Sequence, residues 1–254
     1  MSKASRPVST STSYGELRPG YPDSIATAVT ERLGRHPERA VEIGSGTGKA
    51  TRVIARVTQG LVCVEPSPGM AHELARRVPR ITVVEASYEE WANTGPGTFE
   101  LVFGAMVWHL LPTRRSAIAA RLLTRDGILA LVGRVNRVDD SSLEVRINDV
   151  FRSVNYPQGP RHNDWIADDL RDSGHFGPIA HSRHDVTQEL STSDFCRLVT
   201  TFSPYRGLDP ERQRVLLDRL AKTVDEAGGS VPITWITTLF LTGLPDPVVA
   251  SRPT

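Results

Sequence analysis

Strand-like and helix-like segments alternate along the first half of the chain. Between about residues 39 and 135 there are five short apolar runs, the first "AVEIG" and the last "DGILALVGRV", and segments with helical spacing lie between them. The runs are continuously apolar, so both faces of each strand are expected to be buried. This order predicts a parallel sheet with helices on both sides.

The second half has a looser pattern that contains several helices and two further strands. The sixth strand is predicted in "IAHSRHDVTQEL", and a closing strand in "VPITWITTLFLTGL". The predicted fold class is therefore α/β, with a Rossmann-like, doubly wound and mostly parallel seven-stranded sheet. Helices from the second half are expected to form a cap or lid over the carboxyl ends of the strands.

The bulk composition limits the kind of partner. The 254 residues include 30 basic and 29 acidic side chains, so no positive surplus supports a nucleic-acid partner. Two cysteines are too few for a disulfide framework, and we see neither a signal peptide nor an apolar run of about 18 residues. We expect a cytoplasmic protein, monomer or homodimer, with no membrane partner.

The stretch "RAVEIGSGTGKATRVIARV" places Gly44, Gly46 and Gly48 between the first strand and a helical pattern. A glycine-rich turn in this position lets the backbone approach a ligand, and such sites lie at the carboxyl ends of the strands. A tight turn without a ligand is the alternative. Three glycines at this spacing favour a ligand, because each interior glycine costs about 1 kcal/mol.

Two glutamates narrow the choice of ligand. The third glycine of the dinucleotide fingerprint is absent, since Ala50 lies two residues beyond Gly48, and the P-loop spacing is also absent. Glu42 beside the turn would repel a pyrophosphate and would suit a ligand that carries an ammonium group. Glu65 ends the second strand about 20 residues further on, where a carboxylate can accept hydrogen bonds from both hydroxyls of a ribose.

The end of the third strand lies beside the base of a nucleoside in a sheet of this kind. Glu85, or the backbone of Ala86 and Ser87, is a candidate to hydrogen-bond an adenine. Ser87 is also predicted to cap the next helix, with Glu90 completing a capping box.

These segments resemble the class I S-adenosylmethionine-dependent methyltransferases. Within that family the chain is similar to the small-molecule group typed by trans-aconitate methyltransferase and the bacterial type 11 enzymes. The resemblance rests on "VEIGSGTGKAT", "VCVEPSPGM", "EASYEEW", "FELVFGAMVWHLLP", "YGELRPGYP" and "TFSPYRGLDPERQRVLLDRL". Departures from the family pattern are Glu85 and Glu100, where aspartate is usual, and "WHLLP".

The resemblance implies S-adenosyl-L-methionine as cofactor and methyl transfer to O, N or C of a small molecule by in-line displacement. His109 is the candidate general base, with a structural or substrate-orienting role as the alternative. A nicotinamide oxidoreductase and a non-catalytic module of the same fold are the competing functions, and we expect no metal site. The predicted cofactor-binding residues are Tyr14, Arg18, Glu42, Gly44, Ser45, Gly46, Thr47, Gly48, Glu65, Pro66, Met70, Ala86, Ser87, Gly104 and Ala105.

The domain organisation follows from the same reasoning. We expect a flexible tail at residues 1–13 and a cofactor-binding core with an N-terminal cover helix at 14–137. A helical cap with substrate-side insertions around the sixth strand is expected at 138–230. The closing strand of the core sheet is expected at 231–245.

Overall fold

The computed structural model describes residues 17–157 and 162–246, so the predicted tail and Tyr14 lie outside the described residues. Seven strands form one sheet in the order β3-β2-β1-β4-β5-β7-β6. Their bounds are β1 Arg39–Ile43, β2 Gly60–Val64, β3 Thr82–Val84, β4 Phe99–Ala105, β5 Leu123–Val138, β6 Ala180–Ser191 and β7 Ser230–Gly243.

Helices connect the strands along the whole described chain. Their bounds are α1 Ser24–Leu33, α2 Thr51–Ile54, α3 Pro68–Arg77, α4 Tyr88–Asn93, α5 Arg115–Leu122, α6 Ser141–Ser153, α7 Trp165–Asp172, α8 Thr192–Thr200, α9 Ser203–Arg206 and α10 Pro210–Asp225. A short 3₁₀ turn covers Trp108–Leu110. In the described ranges, no helix is long and apolar enough to span a membrane.

The sheet is parallel from β3 to β5 and contains one reversed strand. The pairs β1–β2, β1–β4, β2–β3 and β4–β5 are all parallel. The N–H of Asp139, just past the end of β5, donates to the carbonyl of Pro232 near the start of β7 at 2.9 Å. Gly127, early in β5, lies against Gly243 at the end of β7. β7 therefore runs antiparallel to β5, and the predicted doubly wound, mostly parallel fold class is confirmed.

The chain divides into two compact units, and the division falls within β5, β6 and β7. One unit comprises residues 20–134, 162–184 and 237 onward, and the other comprises the described residues up to 19 together with 135–157 and 185–236. Segment 162–184, which the sequence analysis assigns to the cap, thus belongs to the same unit as the glycine turn. The predicted boundaries and the observed division differ in this respect.

The first unit buries both faces of its sheet. On β1, Val41 and Ile43 join one apolar cluster with Trp91 and Phe99, while Ala40 joins another cluster that includes Leu101. Alternate residues of a strand point to opposite faces, so two covered faces require an apolar residue at nearly every position. This accounts for the continuously apolar runs in the sequence.

The second unit has its own core. Helices α6, α8 and α10 contribute buried apolar residues to it, and the first half of β7 contributes Val231 and Ile233. The side-chain amide of Gln188 donates to the carbonyl of Leu17 at 3.0 Å and holds the start of the described chain in this unit.

Helix α2 is shorter than the pattern "KATRVIARV" predicts. It ends at Ile54. The N–H of Ala55 still bonds four residues back to Thr51, but those of Arg56 and Val57 bond to carbonyls three residues back. Such bonds tighten the last turn towards 3₁₀ geometry. The β-branched Val53, Ile54 and Val57 lose side-chain freedom in a helix, which helps to explain the early end.

Candidate functional site

Two glycines of the turn are required by close packing. Gly44 and Gly48 both adopt the left-handed backbone, with φ of 63° and 88°. A Cβ at position 44 would lie 2.3 Å from Cγ2 of Val107, and one at position 48 would lie 2.7 Å from Cδ1 of Leu74. Neither distance is sterically allowed, so these two glycines let the turn pack against the end of β4 and against α3.

Gly46 differs from both neighbours because its surroundings are open. Its φ is 55°, yet within residues 17–157 and 162–246 no atom beyond Gly46 and its two chain neighbours lies within 4 Å of the position that a Cβ would occupy. Its N–H donates to Oε2 of Glu65 at 2.8 Å. Gly46 is therefore the place in the turn where a ligand can approach the backbone closely.

Glu65 is held in place by backbone groups. Its side chain is almost completely buried, and its second oxygen, Oε1, accepts the N–H of Ser67 at 2.9 Å. A carboxylate offers about four lone-pair positions, so about two remain for further donors. The two hydroxyls of a ribose fit this remaining capacity at the open glycine.

Glu42 lies beneath the turn and is only 1% exposed. Burial raises the pKa of its carboxyl to about 8, and polar groups of Thr51, Ser45 and Cys63 offset part of that effect. The thiol of Cys63 donates to Oε2 at 3.9 Å. Among the described residues, its contacts include no basic side chain. The site therefore contains a buried acid without a cationic partner from the described chain.

The predicted capping box after β3 is confirmed. The hydroxyl of Ser87 accepts the N–H of Glu90 at 3.3 Å, and Oε2 of Glu90 accepts the N–H of Ser87 at 3.1 Å. The N–H of Ser87 is therefore engaged by its own helix. Of the other residues predicted near the nucleoside, Ala86 is half-buried, while Pro66 and Met70 are exposed around the start of α3.

The carboxyl end of β4 forms the second part of the site. Gly104 is packed against Val107, and Ala105 is half-buried. The next residue, Met106, has φ of 56°, and its N–H donates to the carbonyl of Val132 on β5 at 2.9 Å. A left-handed non-glycine residue turns the chain sharply out of the strand.

That bend leads into the 3₁₀ turn that carries His109. The imidazole is exposed at the surface, but partial removal from water lowers its pKa. Its ring meets Trp165 of α7 edge-on, with 6.3 Å between the ring centroids. The preceding Trp108 is buried, and its indole N–H donates to Oδ2 of Asp169 at 2.7 Å.

The structure brings most of the predicted site together within one unit. The glycine turn with Ser45 and Thr47, both glutamates and the His109 turn all lie in residues 20–134. Arg18 belongs to the other unit, where its guanidinium donates to Thr201 at 3.0 Å and lies over the ring of Phe202 at 4.7 Å. Asp169 is not among the residues predicted from the sequence, although its spacing of four residues from Trp165 in "WIADD" indicates that the two share one face of a helix.

The seven strands in this order, the helices between them and the glycine turn after β1 form a Rossmann-like fold, which a solved methyltransferase structure shares. Residues 40–127 match the family described as "Methyltransferase domain". The predicted resemblance to class I methyltransferases is thereby confirmed, while the trans-aconitate subgroup stays a prediction.

Similar proteins and structures agree with this class. An uncharacterized methyltransferase of Mycobacterium bovis is 30% identical over 120 residues, which is 47% of this chain and 48% of the relative. A protein-L-isoaspartate O-methyltransferase of Pectobacterium atrosepticum is 26% identical over 122 residues, covering 45% and 56%. The chain thus spans about half the length of the curated relatives that it matches.

The solved structures cover more of the chain. One from Anaeromyxobacter dehalogenans, provisionally assigned as a type II methyltransferase, has a TM-score of 0.64 at 18% identity and covers 90% of this chain and 99% of its own. The YcgJ protein of Bacillus subtilis has a TM-score of 0.54 at 15% identity, covering 88% and 99%. At these identities the likeness concerns the fold.

Proposed function

We propose that the protein transfers a methyl group from S-adenosyl-L-methionine to O, N or C of a small-molecule acceptor. The observation that carries this proposal is the Gly46–Glu65 pair. A carboxylate fixed by backbone N–H groups retains acceptor capacity beside Gly46, the glycine of the turn whose Cβ position meets no other described residue. This combination suits a nucleoside whose ribose is held by Glu65.

The remaining cofactor contacts are proposed from their places in the fold. Pro66 and Met70 would lie along the nucleoside, the backbone of Ala86 and Ser87 would lie beside its base, and Gly104 and Ala105 would lie beneath the methyl group. Tyr14 and Arg18 stay proposed as cofactor-binding residues on the resemblance alone. When bound, the donor supplies a methyl group that a positively charged sulfur activates for displacement.

Glu42 is proposed to act through its charge. It is enclosed by Cys63, Ser45 and Thr51, and with a pKa of about 8 it holds its proton at neutral pH until a positive charge binds nearby. A cationic ligand above the turn favours the ionised carboxylate, and the carboxylate favours the ligand in return. A pyrophosphate at the same turn would be repelled by the ionised carboxylate.

His109 is proposed to orient the acceptor and, for a hydroxyl acceptor, to remove its proton. Partial burial lowers its pKa, so the imidazole is largely neutral at physiological pH and able to accept a proton. Carboxylates and many amines need no base, and for these acceptors the ring has a positioning role.

The balance of 30 basic and 29 acidic side chains supports a small-molecule acceptor over a nucleic acid. We also propose a cytoplasmic location and a monomeric or homodimeric protein.

Calorimetry on ligand-stripped protein tests the proposal. We expect heat with S-adenosylmethionine and S-adenosylhomocysteine and none with NAD or NADH. The reverse pattern would favour the oxidoreductase. Binding of the methyl donor without turnover on a panel of hydroxyl, amine, carboxylate and enol acceptors would favour a non-catalytic module.

A further inference from the structure

We infer that Trp165 and Asp169 of α7, together with Arg115, are positioning residues that hold the His109 turn in place for the acceptor. We call these three residues the turn clamp. The inference rests on the proposed function, because it assigns the clamp a role in methyl transfer.

The clamp fixes the turn at both of its ends. At the start, the indole N–H of Trp108 donates to Oδ2 of Asp169 at 2.7 Å. At the end, Nη1 of Arg115 donates to the carbonyl of Leu111 at 3.3 Å. His109 and Leu110 lie between these two attachment points, so the path of the backbone that presents the imidazole is set from outside the turn.

The two attachment points are themselves joined. Nε of Arg115 donates to Oδ2 of Asp169 at 3.2 Å, and Nη2 of Arg115 donates to Oδ1 of the same carboxylate. The guanidinium also lies over the ring of Trp108, 5.6 Å from its centroid. A two-point contact of arginine with carboxylate has a fixed geometry, so Asp169 and Arg115 act as one rigid part.

Trp165 contacts the imidazole itself, whereas Asp169 holds the side chain of the preceding Trp108. These residues are four apart on α7 and thus lie on one face of the helix. Trp165 meets the imidazole edge-on, so its bulk keeps water from that side of the ring. One helix face therefore contacts both Trp108 and His109 of the turn.

A neighbouring carboxylate provides a matched control. Asp168 lies next to Asp169 on α7 but is 65% exposed and pairs only with Arg171 among its described contacts. Asp168→Asn removes the same charge from the same helix and leaves the turn untouched. Asp169→Asn keeps one oxygen for Trp108 and replaces the other with an amide N–H₂ that faces the donors of Arg115.

The first test is kinetic, with an acceptor identified by the panel. Small misplacements of reacting groups cost up to about 100-fold in rate. We therefore expect Asp169→Asn to lower kcat by about 10-fold or more, with the affinity for S-adenosylhomocysteine and the KM for the methyl donor changed less than about twofold. Asp168→Asn should match the wild type. Equal kcat in the two variants, or an equal loss of cofactor affinity in Asp169→Asn, would overturn the inference.

The second test needs neither cofactor nor acceptor. The imidazole of His109, assigned by the loss of its signal in His109→Gln, is titrated by NMR in the wild type and in Trp165→Leu. We expect the pKa of His109 to rise towards its ordinary value in Trp165→Leu, because the ring becomes better hydrated. An unchanged pKa would contradict the role given to Trp165. If the wild type bound no methyl donor, the proposed function would fail. The titration would still test whether Trp165 shields His109 from water.

Discussion

The two ends of the candidate site are built in different ways. At the carboxyl ends of β1 and β2, backbone N–H groups hold the functional carboxylate, and Glu65 lies 19 residues from Gly46. At the end of β4, side chains from a remote helix hold the functional turn, because Trp108 and Asp169 are 61 residues apart. The first end depends on glycine conformation, and the second depends on particular polar side chains. Substitutions at the first end should therefore change mainly the cofactor affinity, whereas substitutions at the second end should change mainly kcat.

The sharpest test of the first end is Glu65→Ala. Hydrogen bonds to charged groups contribute about 1.5–3 kcal/mol each, and the proposed ribose contact has two of them. We expect the affinity for S-adenosylhomocysteine to fall by at least about 100-fold in calorimetry. Glu31→Gln, on the exposed side of α1, is the control and should leave the affinity unchanged. Unimpaired binding by Glu65→Ala would remove the basis for the proposed function.

Alanine substitutions at Gly44 and Gly46 distinguish the packing role of the glycine turn from its ligand contact. Gly44→Ala adds a methyl group 2.3 Å from Val107 in a left-handed backbone, so we expect a loss of about 2–5 kcal/mol in unfolding free energy. Gly46→Ala has the same backbone strain but no clash, so it should cost about 1–2 kcal/mol. Its larger effect should be on cofactor affinity.

Chemical denaturation and calorimetry on the same samples measure both quantities. If Gly46→Ala bound the cofactor as tightly as the wild type, the open space at Gly46 would not be the ligand position.

The raised pKa of Glu42 predicts how the free energy of unfolding of the unligated protein depends on pH. Its folded pKa of about 8 lies above the ordinary value of 4.5, so the folded state binds the extra proton. The contribution of Glu42 to stability is complete below pH 4.5 and is lost as the pH rises through 8. The expected loss is about 1.4 kcal/mol per pH unit across this window.

Glu42→Gln should remove this slope, while its effect at pH 4.5 should be small. Denaturation curves from pH 4.5 to 8.5 compare the two proteins. Parallel curves would mean that Glu42 is ionised throughout. Saturating S-adenosylmethionine should reduce the difference, because its net positive charge favours the carboxylate.

The smallest effect is expected at the helix cap after β3. Ser87→Ala removes a capping box and should cost about 1 kcal/mol of stability. Ser67 occupies the equivalent position before α3 but makes no side-chain cap hydrogen bond, so Ser67→Ala should cost much less. Equal costs, measured by thermal unfolding, would contradict the capping assignment. Cofactor affinity that falls only in Ser87→Ala would indicate a second role beside the adenine.

The sequence predicts the first end well because its determinants are local. The apolar runs, the glycine spacing, Glu65 after β2 and the Ser87–Glu90 pair are each recognisable within one short segment of the chain. The packing that requires Gly44 and Gly48 is not recognisable in this way. Gly44 packs against Val107 and Gly48 against Leu74, and both partners come from other elements. The raised pKa of Glu42 likewise depends on burial that no single segment reveals.

The second end could be predicted only in part. His109 stands out by its position after the fourth strand, but nothing in "WIADDL" indicates that its face meets that turn. The partners are brought together by the sheet and by the placement of segment 162–184, which the sequence analysis assigns to a cap. A contact that depends on the global path of the chain leaves no local pattern.

Gly44 and Val107 pack directly against each other where the two ends of the candidate site meet. Not even a methyl group fits between them, and Val107 stands two positions before His109. Protein interiors have low compressibility, so a push on the glycine turn towards β4 finds no void to absorb it. A shift of the glycine turn towards β4 would therefore displace Val107, two residues before His109. The cofactor side and the acceptor side of the candidate site thus share one rigid contact.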